Sequence, residues 1–217
     1  IALTLLAKAR EITLFCFSDL LAPIRQGDGS WRQASRVAPV AGDTLERVDA
    51  LLSRLGRPVG VSAYKPHHSS GEDFLHSFLG MAGIPIELTP EFREDAPVVL
   101  LNESAKHDPQ IVSRIERRLL AGKPVVVTTG LVRALQGKGF ERIADLEVSE
   151  RRVRTRRFSN FWGGVWEAEK DILLPQLRYP TNDSWEEITA LDGENGFPVF
   201  HHADYGRGRL YVLTVPD

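Results

Sequence analysis

The chain has 217 residues, of which 42% are apolar and 26% charged, and its formal net charge is −2. That length holds one sizeable domain with an appendage, and the near-neutral balance provides no electrostatic footprint for nucleic acid or an anionic membrane surface. No apolar run reaches the roughly 20 residues that cross a bilayer, and the single cysteine, Cys16, excludes an intrachain disulfide.

In chain order, residues 2–9 read as a short apolar helix. Residues 11–17, rich in β-branched and aromatic side chains, read as a strand buried on both faces. The start lacks methionine and the basic, apolar make-up of a signal peptide. Residues 1–22 are therefore expected to be the tail of a preceding domain in a longer protein, and the compartment stays open between cytoplasm and export. Residues 23–42, rich in Gly, Pro, Ser and Arg without a period, read as a linker. Residues 43–217 read as the main domain. It opens on a helix: Asp43 and Glu46 have the spacing of a capping box before the stripe Leu45, Val48, Leu51, Leu52 and Leu55, and Gly56 closes it.

From Pro58 short apolar runs alternate with amphipathic helices. Strands are expected at 59–63, 84–88, 98–101 and 125–129. A helix at 71–82 should turn Phe74, Leu75, Phe78 and Leu79 inward. Another, with Asp108 as N-cap and Pro109 first, should place Ile111, Val112, Ile115, Leu119 and Leu120 on the sheet before Gly122. The strand at 125–129 turns at Gly130 into a helix at 131–136. This alternation predicts an α/β fold with a doubly wound, flavodoxin-like, mostly parallel sheet. Strands at 148–158 and 172–179, with 198–202 pairing with 210–215 across Tyr205-Gly206-Arg207-Gly208, should extend it in antiparallel fashion.

The runs GEDFLHSFLGMAGIPIELTP, VVLLNESA and AGKPVVVTTGLVRAL resemble the first half of a class I glutamine amidotransferase-like domain. The closing PVFHHADYGRGRLYVLTV resembles the final hairpin of the trimerisation domains of glycoside hydrolase family 42 β-galactosidases. ALTLLAKAREITLFCFSDL is similar to the last helix and strand of the barrel that precedes such domains. The resemblance implies a non-catalytic, structural or oligomerising domain attached to a glycoside hydrolase-like enzyme. Its partners would be further copies or the catalytic barrel, with carbohydrate as a possible ligand and with no cofactor, nucleic acid or membrane. It also implies that the amidotransferase nucleophile falls on Thr129. A glutaminase needs a thiolate at a helix N-terminus with a His base, and an internal threonine supplies neither the acidity nor an N-terminal amine, so no glutaminase activity is expected.

Open parallel sheets bind ligands beyond the carboxyl ends of their strands. Three loops should meet there, and Tyr64, His67, His68, Ser69, Asn102, Glu103, Thr128 and Thr129 are the candidate ligand-binding residues, for a sugar or small anion. The structural alternative is that Ser69, Ser70 and Asp73 cap a helix and that Thr128 and Thr129 bond the turn. For a hydrolase the candidate catalytic residues are Thr129, His67 and His201. Of His201 and His202 only one can face a common site, because alternate strand residues point oppositely. Adjacent histidines lack the spacing that aims two rings at one ion, so no metal site is expected. Arg152, Arg154 and Arg156 would share a strand face that Glu147, Glu150, Glu167 and Glu169 can neutralise. Phe158, Phe161, Trp162 and Trp166 around Gly163-Gly164 suit an interaction surface, a sugar platform or internal packing.

Overall fold

The computed structural model describes residues 12, 21–32, 37–56, 59–180 and 184–216; the helix expected at 2–9, most of the strand at 11–17 and Cys16 lie outside them. The chain divides into two compact units, Ile1–Pro58 and Val59–Asp217.

In the first unit β1 (Ile24–Arg25) and β2 (Trp31–Arg32) form an antiparallel hairpin. Asp28 accepts from the Ser30 backbone N–H at 2.9 Å and its hydroxyl at 2.6 Å, which ties the turn. Helix α1 (Val37–Leu52) begins before the expected capping box, inside the segment read as an irregular linker. The run Val37-Ala38-Pro39-Val40-Ala41 is apolar, and a proline in the first helical turn removes only an N–H that has no intrahelical acceptor. Asp43, now inside the helix, pairs with Arg47 one turn on at 3.0 Å and caps nothing.

Among the described residues the second unit holds a nine-stranded sheet with its helices. Its strands are β3 (Val61–Tyr64), β4 (Ile86–Thr89), β5 (Val99–Leu101), β6 (Val125–Thr128), β7 (Glu147–Asn160), β8 (Val165–Arg178), β9 (Ser184–Asp192), β10 (Asn195–Tyr205) and β11 (Gly208–Leu213). The order across the sheet is β4-β3-β5-β6-β11-β10-β9-β7-β8. Four neighbouring pairs are parallel and four antiparallel, so the sheet is mixed where a mostly parallel one was expected. The difference lies in the last third, where β9 had no counterpart among the expected strands and β7 and β8 are each 14 residues long. The parallel half has short strands: all three residues of the central β5 are buried, whereas the edge strand β4 exposes Leu88.

Helix α2 (Leu75–Met81) connects β3 to β4, and α3 (Ile111–Leu120) lies between β5 and β6. The first is shorter than expected at its start. Gly71 and Glu72 take φ of 137° and 50°, in the left-handed half of backbone space, where a right-handed helix cannot run. The shift leaves Phe74 and Phe78 exposed instead of inward.

On α3, Ile111, Ile115 and Leu119 are buried as expected, whereas Leu120 is exposed and Arg118 is buried. Arg118 donates to the carbonyls of Arg93 and Glu94 at 3.1 Å each and of Ala96 at 2.9 Å, so an always-charged group closes the loop before β5. Asp108 accepts from the Gln110 N–H at 2.8 Å and so ties the turn ahead of the helix, whose N-cap position is Gln110 and not Asp108 as expected.

The main core gathers Val99, Leu101, Val125, Val127, Leu210 and Val212 of the strands with Ile115, Leu119, Leu131 and Leu135 of the helices. A second, smaller core of Val153, Phe158, Leu174, Ala190 and Phe197 holds the antiparallel wing together.

Candidate functional site

The three loops beyond β3, β5 and β6 do converge, and what they enclose is a side chain of the protein itself. Glu72 Oε2 accepts from the Thr128 hydroxyl at 2.5 Å and from the Glu103 backbone N–H at 2.8 Å, while Oε1 accepts from the Gly130 N–H at 3.2 Å. The positive φ of Glu72 aims the carboxylate at this elbow. Asn102, fully buried, donates to the Gly71 and Glu72 carbonyls at 3.1 and 3.2 Å and accepts from Ser104 Oγ at 2.6 Å, which locks the loop that carries the glutamate. Glycine is required on both sides. A Cβ on Gly130 would collide with the Glu72 carboxylate, and one on Gly71 would meet Glu103 Cβ at 2.9 Å. Burial pushes the Glu72 carboxyl above its ordinary value, against the pull of the Thr128, Glu103 and Gly130 donors.

Thr128 has two partners. Its Oγ1 donates to Glu72 and accepts from Leu131 N at 3.2 Å, as the N-cap of helix α4 (Thr129–Leu135). Thr129 is buried with its Oγ1 accepting from the Val215 N–H at 3.1 Å, so this hydroxyl anchors the chain beyond β11. Tyr64 points into the core: its hydroxyl donates to Asp108 at 3.1 Å, and burial together with that carboxylate pushes its pKa up to about 12. His67 and His68 are exposed with ring centroids 6.4 Å apart, and the Ser69 hydroxyl donates to the Pro66 carbonyl at 2.5 Å. Glu103 holds Lys106 at 2.6 Å.

His201 and His202 face opposite sides of β10. His201 lines a pocket of about 120 Å³ with Leu146, Tyr179, Ser184, Tyr205 and Leu210, and none of the crevice residues lines it. His202 stacks on Trp185 on the other face, its Nδ1 3.0 Å from Glu187 Oε1. The structure thus brings Asn102, Glu103 and Thr128 together around Glu72 and puts His201 in a separate place. Among the described residues no group of three or more His, Cys, Asp or Glu side chains is placed to hold a metal ion, and no helix is long and apolar enough to cross a membrane. The sequence reading puts Glu72 at the start of the helix expected at 71–82 and misses its role. The available signal was an acid directly after Gly71, with a second glycine, Gly130, at the elbow it reaches.

A mixed sheet with an elbow occupied by its own carboxylate defines an α/β domain whose crevice is internally filled. The chain belongs to the family of the second domain of uncharacterized protein SSO3021, whose model matches residues 56–217. Among solved structures it is similar to a catalytic mutant of a GH42 beta-galactosidase from G. stearothermophilus, at 12% identity and a TM-score of 0.57, covering 88% of this chain and 32% of that one. It is also similar to the beta-galactosidase of Bacillus circulans sp. alkalophilus, at 12% identity and a TM-score of 0.56, with 89% and 34% covered. A third, the beta-galactosidase from Rahnella sp. R3, matches at 14% identity and a TM-score of 0.52, with 84% and 33% covered. The chain therefore spans about a third of the length of these enzymes, and at such identities the likeness is one of fold. No curated protein matches it.

Proposed function

We propose that this chain is a non-catalytic accessory domain of a glycoside hydrolase-like enzyme, with a structural role in assembling copies of that enzyme. The observation that carries the reading is the Glu72 carboxylate at the elbow. A reacting group needs an open position beside the nucleophile and its oxyanion donors. Here the Gly130 and Glu103 N–H groups and the Thr128 hydroxyl already serve Glu72, and Thr129 Oγ1 serves Val215. The amidotransferase-like, doubly wound character belongs to the same proposal: the parallel half β4-β3-β5-β6-β11 and the strand-to-helix turn at Thr128 support it.

An assembling role draws support from α2. Phe74, Phe78 and Met81, spaced to share one helix face, are 78%, 65% and 82% exposed, and contiguous apolar surface of this kind marks contacts between proteins. The partner on this face is a second copy of the chain, with a catalytic barrel as the neighbour in the complete enzyme. Light scattering on the full chain tests it. A multimer that Phe78→Glu with Met81→Glu converts to monomer, without loss of the thermal transition, is expected. A chain that is monomeric at every concentration would overturn the assembling role.

A further inference from the structure

The antiparallel wing carries a groove that the crevice does not involve. We infer that it is a binding site for a neutral sugar, a pyranose or short oligosaccharide. This goes beyond the assembling role and does not rest on it.

The groove has a volume of about 380 Å³, within the range of small-ligand sites. Its walls are aromatic: Phe161 and Trp162 from the β7–β8 turn and Trp185 from β9. Trp162 is 86% exposed, and its ring meets Phe161 edge-on at 5.5 Å. The turn that carries this pair is fixed in place, because the Phe161 N–H donates to the Glu187 carbonyl at 3.1 Å and the Gly164 N–H to Asn160 Oδ1 at 2.8 Å.

Sheet register builds the polar side. Trp185 lies opposite His202 and Asp204 opposite Arg209, so strand alternation brings Trp185, Glu187, His202, Asp204 and Arg209 to one face. His202 is the buried member. Its ring stacks on Trp185 at 5.3 Å with 22° between planes, which steadies one face of the indole while the side chain as a whole stays exposed. Arg209 Nε holds Asp204 at 2.9 Å, and His202 Nδ1 lies 3.0 Å from Glu187 Oε1. The groove is therefore preorganised before any ligand arrives.

The chemistry of this lining selects the class. Exposed indole and phenyl faces take the apolar C–H face of a sugar ring, and carboxylates beside a guanidinium bond its hydroxyls as acceptors and donors. Two carboxylates against one guanidinium disfavour phosphates and uronates. A purely apolar segment would leave those charges desolvated without partners.

Tryptophan fluorescence of the full chain, titrated with lactose, cellobiose and mannobiose, tests the proposal, with galacturonate as the anionic comparison. A saturable emission shift is expected with at least one neutral sugar and not with galacturonate. Trp185→Ala and Trp162→Ala should each weaken it at least about tenfold, the scale of losing a central aromatic anchor. Trp166→Phe, which lies outside the groove against Phe158, should leave it intact. Each variant is checked for an unchanged far-UV spectrum and melting transition. No saturable response to any of the sugars overturns the proposal, and so does a response that survives both groove substitutions. If Trp162→Ala or Trp185→Ala instead dissociates a multimer and no sugar responds, the groove is a protein interface and the sugar site falls.

Discussion

His201 is 1% exposed, and among the described residues neither ring nitrogen has a hydrogen-bond partner, although the Tyr179 ring stacks on it at 4.7 Å. Burial pushes its pKa down to about 4 from the ordinary 6.5; Glu186 pulls it upward and His202 pushes it further down. Glu186 is itself engaged by the Tyr179 hydroxyl and, at 2.7 Å, by Thr189. Because the folded pKa lies below the unfolded one, the unfolded chain binds more protons between the two values. His201 thus leaves stability intact above about pH 6.5 and removes it as the pH falls toward about 4. His201→Phe keeps the ring stack and removes the titration. Melting temperature measured across this range should fall less steeply in the variant, and identical slopes would refute the assignment. Glu72 has the opposite linkage: its carboxyl is raised by burial, so its contribution is present at low pH and lost as the pH rises through the folded value. Neither behaviour was legible in the sequence. His201 stood among the candidate catalytic residues, and its burial beside Tyr179 follows from the packing of β10, which no local pattern shows.

The β10–β11 hairpin was legible from Tyr205-Gly206-Arg207-Gly208, and Tyr205 does pair with Gly208. Gly206 takes φ of 62° and Arg207 does not share that sign, the pattern of a type II′ turn with glycine first. What the turn residues alone could not indicate is that Gly208 packs against the end of α3. A Cβ there would lie 2.6 Å from the Leu119 carbonyl oxygen and 2.7 Å from its Cα, both backbone atoms with little room to yield. Gly208→Ala should cost about 1–3 kcal/mol in urea unfolding. Gly80→Ala, in α2 with no described residue within 4 Å of its Cβ position, should instead stabilise by about 0.5–1 kcal/mol. A harmless Gly208→Ala would mean that the hairpin does not rest on the helix. Strand β9 escaped the sequence reading because Ser184–Asp192 has polar residues on both alternations: Glu187 and Thr189 on one, Glu186 on the other. The period that marks a half-buried strand is absent there.

At the scale of the whole molecule, the division between Ile1–Pro58 and Val59–Asp217 follows the family match, which begins at residue 56. Among the described residues, the two sheet cores are built from residues beyond Pro58. A chain of residues 56–217 should therefore fold with a cooperative melt and a β-rich far-UV spectrum, and an unfolded or aggregated product would show that the first unit is needed. The alternation of short apolar strands with helices through the parallel half, the antiparallel character of the end and the hairpin turn can be read from the residues in order, because periodicity and turn chemistry act over a few neighbouring residues. What fills the crevice depends on long-range contacts. Glu72 reaches partners 31, 56 and 58 residues away, at Glu103, Thr128 and Gly130, through a left-handed backbone step that brings one carboxylate to three donors. No local pattern encodes contacts over such separations, and they bring the Glu72 carboxylate onto the elbow at Thr128 and Gly130.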